Sequence, residues 1–355
     1  MSSTNLIGSY DFLSRNGLIF RNRIINGDMR IAQRRTQSGA TASLLSNFFV
    51  SDRFTSYSFG GSATARVQRL AVTDLPGFNF AQRYTVGTAG SRHVTVQRIE
   101  GYSIADLLRQ PVTISFWVRG SKNFNFGCTN YFHSSPTNSS IVKNVQVTTS
   151  WQKINFTVPS IPNTIPTNET TSIQLCFNWY PDSANLTSSE LVLQNGDAQG
   201  INGTSYQFNT AGDWVECTGI QFEPGYFATE FERRPYGLEL NLCQRYFDTN
   251  YPLGYEIGSA FGDFPGAVGI KDPVTNGEFL NTCPFHTTMR AKPIVSLYRP
   301  SDGIINTVEE FASGTKSVSV NTNRVTAHGF TSVAITGAAA GAKLYFYFYA
   351  ADAEL

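Results

Sequence analysis

Two stretches of this chain concentrate side chains able to grip a polyhydroxylated ligand. From Asn123 to Asn138, NFNFGCTNYFHSSPTN interleaves Phe124, Phe126, Tyr131, Phe132 and His133 with Asn and Ser. From Asn178 to Asn185, NWYPDSAN offers Trp179, Tyr180 and Asp182. A sugar ring has an apolar face and a rim of hydroxyls, so an aromatic plane flanked by amides and a carboxylate fits it. Tyr131, His133, Trp179, Tyr180 and Asp182 are therefore the candidate ligand-binding residues. Core packing or a subunit contact is the competing use of the same rings.

Catalytic constellations are sparse. His93, His133, His286 and His328 are scattered, and no His-Glu-x-x-His, Gly-x-Ser-x-Gly or phosphate-cradling glycine loop occurs. Glycan cleavage needs two carboxyls about 5–9.5 Å apart. Asp182, Asp197, Glu216, Glu223 and Glu232 are available, yet no local spacing pairs them. Cys128, Cys176, Cys217, Cys243 and Cys283 are widely separated, which argues against a zinc knuckle and for buried free thiols.

The elements that must position these residues are strands. Val112, Ile114, Phe116 and Val118 alternate with Thr113, Ser115 and Trp117; Ile154, Phe156 and Val158 repeat the period, as do Ile173, Leu175 and Phe177. Val94 and Val96 share a face, and the run from Trp214 to Gln221 alternates as well. Such alternation, punctuated by Gly, Pro and Asn turns, predicts antiparallel strands in a sandwich. One short helix is expected within this body, over Ile99–Arg109, with Ile104, Leu107 and Leu108 on its buried face. A second is expected in GLELNLCQRYF, with Leu238, Leu242 and Tyr246 on one face.

Further strands are expected over Ala267–Ile270, Phe279–Phe285, Ile294–Tyr298, Val318–Val320, Thr331–Ile335 and Lys343–Ala350. The last carries Leu344, Phe346 and Phe348 on one face and Tyr345, Tyr347 and Tyr349 on the other. Aromatics on both faces lead to the expectation that a neighbouring subunit covers one of them.

Composition agrees with an all-β chain. In 355 residues, charged side chains make up 15% and the formal net charge is +1, too neutral and too dispersed for a nucleic-acid binder. No apolar run is long enough to span a membrane, and the first residues, MSSTNLIGSYDF, lack a signal-peptide pattern, so no membrane insertion or secretion is expected. The expected fold class is an antiparallel jelly-roll sandwich followed by a short linker helix and a smaller β-sandwich tip. The boundaries are 1–21 for an N-terminal arm, 22–231 for the jelly roll, 232–249 for linker and helix, and 250–355 for the tip.

Three stretches carry a family resemblance. The longest includes Gln221, Glu223, Gly225, Ala228, Thr229, Phe231-Glu232-Arg233-Arg234, Pro235-Tyr236-Gly237, Glu239-Leu240 and Cys243-Gln244-Arg245-Tyr246. The others are NRIINGDMRIAQR from Asn22, with Asp52-Arg53-Phe54, and the closing FYFYAADAEL; MRAKPIVSLY from Met289 agrees with them. Together these resemble bacteriophage tail-fibre and receptor-binding proteins that join a carbohydrate-binding-module-like jelly roll to a C-terminal β tip.

The resemblance implies a structural virion protein that binds host surface polysaccharide, assembled as a homotrimer with other virion proteins and made in the host cytoplasm. It also implies a possible structural calcium ion held by carboxylates near the entry turn and the final sandwich strand, for which Asp28 and Glu223 are the nearest equivalents. Capping of its own turn is the competing role of Asp28. The chain lacks the long repetitive shaft of a fibre, which leaves a base-plate, tail-tip or head-decoration protein open. A non-binding connector and a glycan depolymerase are the rival functions.

Overall fold

The computed structural model describes residues 20–34, 41–42, 48–59, 64–88, 92–129, 139–162, 165–180, 185–196, 198–203, 208, 210–263, 265–271, 278–310, 314–320, 324–336 and 344–354. Two antiparallel sheets face each other in the first part of the chain. One runs β1 (Thr41–Ala42), β4 (Ala65–Ala71), β5 (Phe80–Val86), β15 (Trp214–Pro224), β7 (Val112–Gly120), β10 (Gln152–Val158). The other runs β13 (Gln194–Asn195), β9 (Ser139–Val145), β8 (Phe124–Thr129), β11 (Thr171–Tyr180), β6 (Arg92–Glu100), β3 (Phe54–Phe59), β2 (Phe48–Ser51). The chain crosses between the sheets repeatedly, among others from β3 to β4, β5 to β6, β6 to β7, β7 to β8, β9 to β10 and β10 to β11, so the sandwich that the alternation predicted has the jelly-roll form expected of the fold class. A two-stranded parallel pair, β12 (Leu186–Thr187) and β14 (Gly200–Ile201), lies beside β8 through Ile201 N–H donating to Asn125 Oδ1 at 3.3 Å.

The core between the sheets is built from the expected period-two faces. Val112, Ile114, Phe116 and Val118 meet Ile173, Leu175 and Phe177, all buried. Phe116, Phe126 and Phe177 pack with centroids 4.8–5.5 Å apart. Full burial of each such ring contributes about 1.5–3 kcal/mol. Val94 and Val96 point the other way, into a separate cluster with Cys176 and Tyr57, so β6 turns His93, Thr95 and Gln97 toward the sandwich interior.

Two local expectations change. Over Ile99–Arg109 the chain forms two 3₁₀ turns, Gly101–Ser103 and Ala105–Leu107, in place of an α-helix. Gly101 lies so close to the Pro166 carbonyl that any side chain would overlap it, and Arg109 adopts φ 61°, which ends the helical run. The expected apolar face survives, with Ile104 and Leu107 buried. In β15 the alternation slips: Val215 and Cys217 enter the core, then Ile220 and Phe222 do. The register shifts between Thr218 and Gln221, where Gly219 takes φ 63°. This bulge moves the inward phase by one residue.

After the sandwich comes α1 (Tyr236–Gln244), at the place expected. Its most buried positions are Glu239, Cys243 and Gln244, while Leu238 and Leu242 are only half-buried. A carboxylate faces inward here because Arg234 and the Asn26 N–H receive it.

The second β body begins at β16 (Phe247–Thr249), which pairs with the final strand β24 (Leu344–Asp352). Around β24 gather β17 (Val268–Lys271), β19 (Ile294–Tyr298) and β20 (Thr307–Glu310); β21 (Gly314–Val320), β23 (Gly329–Thr336), β18 (Glu278–Pro284) and β22 (Val325–Thr326) continue the sheet. The six strands expected here are present, and β16, β20 and β22 were not anticipated.

Four of the five rings of β24 are covered within the single chain, while Phe346 is half-buried and Leu344 beside it is exposed. Tyr345, Tyr347 and Tyr349 lie in the tip core with Phe330 and Phe285. Phe348, fully buried, is covered on the opposite face by Tyr251 and Phe261, with centroids at 4.4 and 5.3 Å. The non-strand segment after β16 supplies the cover assigned above to a neighbouring subunit. That reduces the argument for assembly drawn from these aromatics to Leu344 and Phe346, the positions of that face left part-exposed.

All five cysteines are buried free thiols, as expected. Burial pushes Cys128, Cys217 and Cys283 up to about 12. Among the described residues, no helix is long and apolar enough to cross a membrane.

Candidate functional site

The described parts of the two stretches singled out for ligand binding meet in the core, where Phe124 packs against Trp179 with centroids 4.9 Å apart. Thr129, the last residue of β8, pairs with Gln174, six residues before Tyr180 on β11. At about 3.3 Å per residue that is roughly 20 Å along the sheet. Thr129 and Tyr180, the last described residues before these two loops, therefore end their strands at opposite ends of the sheet. Tyr131, His133 and Asp182 lie outside the described residues. Tyr180 ends β11, paired with His93 of β6.

Trp179 corrects the expectation. It is 3% exposed and continues the inward series Ile173, Leu175, Phe177. Its ring stacks on Tyr84 at 5.3 Å and lies 4.9 Å from Phe124, and its indole N–H donates to Thr95 Oγ1 at 3.0 Å. The period-two signal already ran through this residue, and its loop-like neighbours Tyr180-Pro181 concealed that.

The polar side chains that do converge belong to the three stretches of the family resemblance. Glu239 of α1 accepts from Arg234 at 3.2 Å and from the Asn26 N–H at 2.5 Å. Arg234 also donates to the carbonyls of Asn22 and Ile24. Glu232 receives the backbone N–H groups of Phe20 and Asn22 at 2.7 and 2.6 Å. The Asn22 side chain then joins the arm to β15, accepting from Phe222 N–H at 3.0 Å and donating to Ile220 O at 3.2 Å. The entry turn Asn26-Gly27-Asp28 abuts Ile220 so closely that Gly27 has no room for a side chain.

The same cluster reaches the second β body. Asp52 accepts from Gln33, whose amide donates onward to Phe247 O at 2.9 Å. Arg53 pairs with Glu354, donates to Arg98 O at 2.7 Å, and sits 3.3 Å above the Tyr246 ring. Arg34 lies between the rings of Phe49 and Phe247 and pairs with Asp352 and Glu354 at 3.3 Å. Arg245 pairs with Glu100 at 2.9 Å. These contacts join residues up to 320 positions apart across the two bodies.

The carboxylates proposed for a cation do not fit one. Glu223, 1% exposed, accepts from the Thr229 N–H and hydroxyl at 2.9 and 2.6 Å and from Gln221 at 2.8 Å, with Arg21 at 3.3 Å. Asp28 pairs with Arg30 at 3.2 Å, and burial, opposed by Arg30, pushes its carboxyl above its ordinary range. Each carboxylate already faces an arginine, which would repel a metal ion. Among the described residues, no group of three His, Cys, Asp or Glu is placed to hold one.

Two clefts open beside this junction. One, of about 550 Å³, lies where the bodies meet and is lined by Arg34, Arg98, Phe247, Tyr298 and Glu354 among others. The other, of about 560 Å³, lies between the 3₁₀ region and the turn after β15. Arg109, Gln110, Tyr226 and Phe227 line it, none of which the strand periodicity singled out. The available signal was an aromatic pair directly after Pro224-Gly225, where a strand has just ended.

No family model matches the chain, and no curated protein matches it. Solved structures give distant likenesses. An enzymatically active domain of tailspike protein 4 from bacteriophage CBA120 is 12% identical with a TM-score of 0.32, over 58% of this chain and 22% of the tailspike chain. A family 30 carbohydrate-binding module is 13% identical with a TM-score of 0.31, over 61% of this chain and 95% of the module. A family 11 module of a cellulosomal cellulase from Clostridium thermocellum is 10% identical with a TM-score of 0.31, over 55% of this chain and all (100%) of the module. At these scores the likeness transfers neither a site nor a ligand.

Proposed function

We propose that this chain is a non-enzymatic structural subunit of a bacteriophage particle that grips host surface polysaccharide through its β-sandwich. The observation that carries this reading is the convergence of the three fibre-like stretches on one junction. Their charged and amide side chains bind the entry turn, β15, α1 and the start and end of the second body into one network. A rigid mount of this kind suits an adhesin, which must transmit load from the gripped surface to the particle. Tyr131, His133, Tyr180 and Asp182 are proposed as glycan contacts.

Many copies on one particle would raise a weak single-site affinity by multivalency. Threefold assembly rests on the family resemblance alone. The connector reading has one observation in its favour: Leu253, Tyr255, Ile294, Ile304 and Ile305 of the second body are exposed apolar side chains.

The test is co-sedimentation of the full chain with purified bacterial surface polysaccharides, with a reducing-end assay on the same samples. Retention without new reducing ends is the expected result. New reducing ends would establish the depolymerase, and failure to bind any polysaccharide would leave the connector.

A further inference from the structure

The turn after β15 holds two aromatic rings in solvent on a backbone that is fixed at several points. Gly225 N–H donates to Pro111 O at 2.8 Å, and Thr113 Oγ1 donates to Gly225 O at 2.8 Å. Thr157 Oγ1 donates to Tyr226 O at 3.0 Å, and Glu223 holds Thr229 through both its N–H and its hydroxyl. Yet Tyr226 is 58% and Phe227 71% exposed. An apolar ring on a loose loop folds back onto the surface; rings on a pinned turn stay out, preorganised for a partner.

Across the cleft stands Arg109. Its backbone is fixed on both sides, Arg109 N–H to Ile161 O at 2.8 Å and Ile161 N–H to Gln110 O at 3.1 Å. It holds φ 61°, a conformation costly for a non-glycine residue and found where surrounding structure imposes it. Among the described residues, the Arg109 guanidinium and the Gln110 amide have no partner, and both residues are exposed. At the floor, Arg21 and Glu223 neutralise each other at 3.3 Å, so the uncompensated charge of the cleft is that of Arg109.

We infer that this cleft binds an acidic pyranose, with the sugar face on Tyr226 and Phe227, its carboxylate on Arg109 and a hydroxyl on Gln110. The chemistry follows from the lining: a planar guanidinium pairs with a carboxylate in bidentate fashion, and paired aromatic edges take the apolar face of a ring. A neutral sugar would leave Arg109 without a counter-charge. The inference rests on the polysaccharide-binding reading and assigns it a site apart from the two strand-end stretches.

The test is calorimetric titration of the full chain with oligogalacturonate, oligomannuronate and oligosialic acid, and with each after methyl esterification of its carboxyls. At least one acid form should bind, and its ester about tenfold more weakly. Phe227→Ala and Tyr226→Ala should each lose about tenfold with unchanged melting temperature. Arg109→Asn, chosen because Asn adopts positive φ readily, should erase the preference for acid over ester. No binding of any acid form at millimolar concentration, equal binding of acid and ester, or binding untouched by the ring variants would each overturn the assignment. So would a change in sedimenting mass in the ring variants, which would make the pair a subunit contact. Retention of intact polysaccharide by all three variants would reject this cleft while leaving the polysaccharide-binding reading in place.

Discussion

Arg234 and Glu239 show how much a single buried pair can determine. Both side chains are about 95% buried, and each also bonds backbone groups near the entry turn. Among charged partners in the described residues, removing Arg234 therefore leaves Glu239 only the longer contact to Arg30 at 3.7 Å, and removing Glu239 leaves Arg234 only Glu232 at 3.6 Å. Breaking such a pair from one side typically costs about 3–5 kcal/mol. Arg234→Ala should therefore lower the denaturant midpoint by that equivalent, and an Arg234→Met/Glu239→Leu double variant should recover part of it. A loss below about 1 kcal/mol in Arg234→Ala would show that water reaches the pair.

His93 makes a second prediction at this scale. It is 3% exposed, neither ring nitrogen has a partner among the described residues, and it lies against the Tyr84 ring at 5.8 Å. Burial lowers its pKa from 6.5 to about 4. The folded chain thus binds fewer protons than the unfolded chain between those values, so this contribution is complete above pH 6.5 and is lost as pH falls toward 4. At about 1.4 kcal/mol per unit, the loss is on the order of 3 kcal/mol. Stability curves for wild type and His93→Phe should converge in slope above pH 6.5 and diverge below it, with the wild type falling more steeply; parallel curves would refute the assignment.

At the scale of elements, the bulge in β15 decides which residues enter the core. Gly219 at φ 63° faces Phe78, whose ring would lie 2.7 Å from an added Cβ. Gly219→Ala should cost about 1–3 kcal/mol in backbone strain, with ring displacement adding to it. Urea titration followed by tryptophan fluorescence would measure this, because Trp117 packs at the same spot. A neutral substitution would mean that the register can slip back without loss. The 3₁₀ region and α1 carry the same lesson. Ile104 and Leu107 were readable as a buried face, whereas the inward turn of Glu239 depends on an arginine five residues earlier and a backbone N–H more than 200 residues away.

For the whole molecule, the junction predicts that the two β bodies unfold together. Arg53 with Glu354, Gln33 with Phe247, and Arg290 with the Glu169 carbonyl at 3.1 Å tie one to the other. Calorimetry of the full chain should give one transition, and Arg53→Ala combined with Glu354→Ala should split it into two. Two transitions already present in the wild type would show that the bodies are independent and that the mount is not rigid. The covered rings of β24 bear on the same scale. Oligomerisation, if it occurs, needs a surface other than Tyr345, Tyr347 and Tyr349, which the chain buries by itself.

The all-β class, the sandwich strands, the helix after the first body and the burial of the cysteines were legible because each rests on local periodicity or on the apolar character of single residues. Trp179 was legible too, as the fourth inward position of β11, once the period was followed to its end. What sequence could not supply was long-range pairing. Whether Glu223 faces a metal or Arg21, whether the rings of β24 face a neighbour or Tyr251, and whether Arg109 stands across a cleft from Phe227 depend on groups tens to hundreds of residues apart. The energy of a buried charge or an exposed ring is set by what the fold brings beside it, and only the tertiary structure decided that.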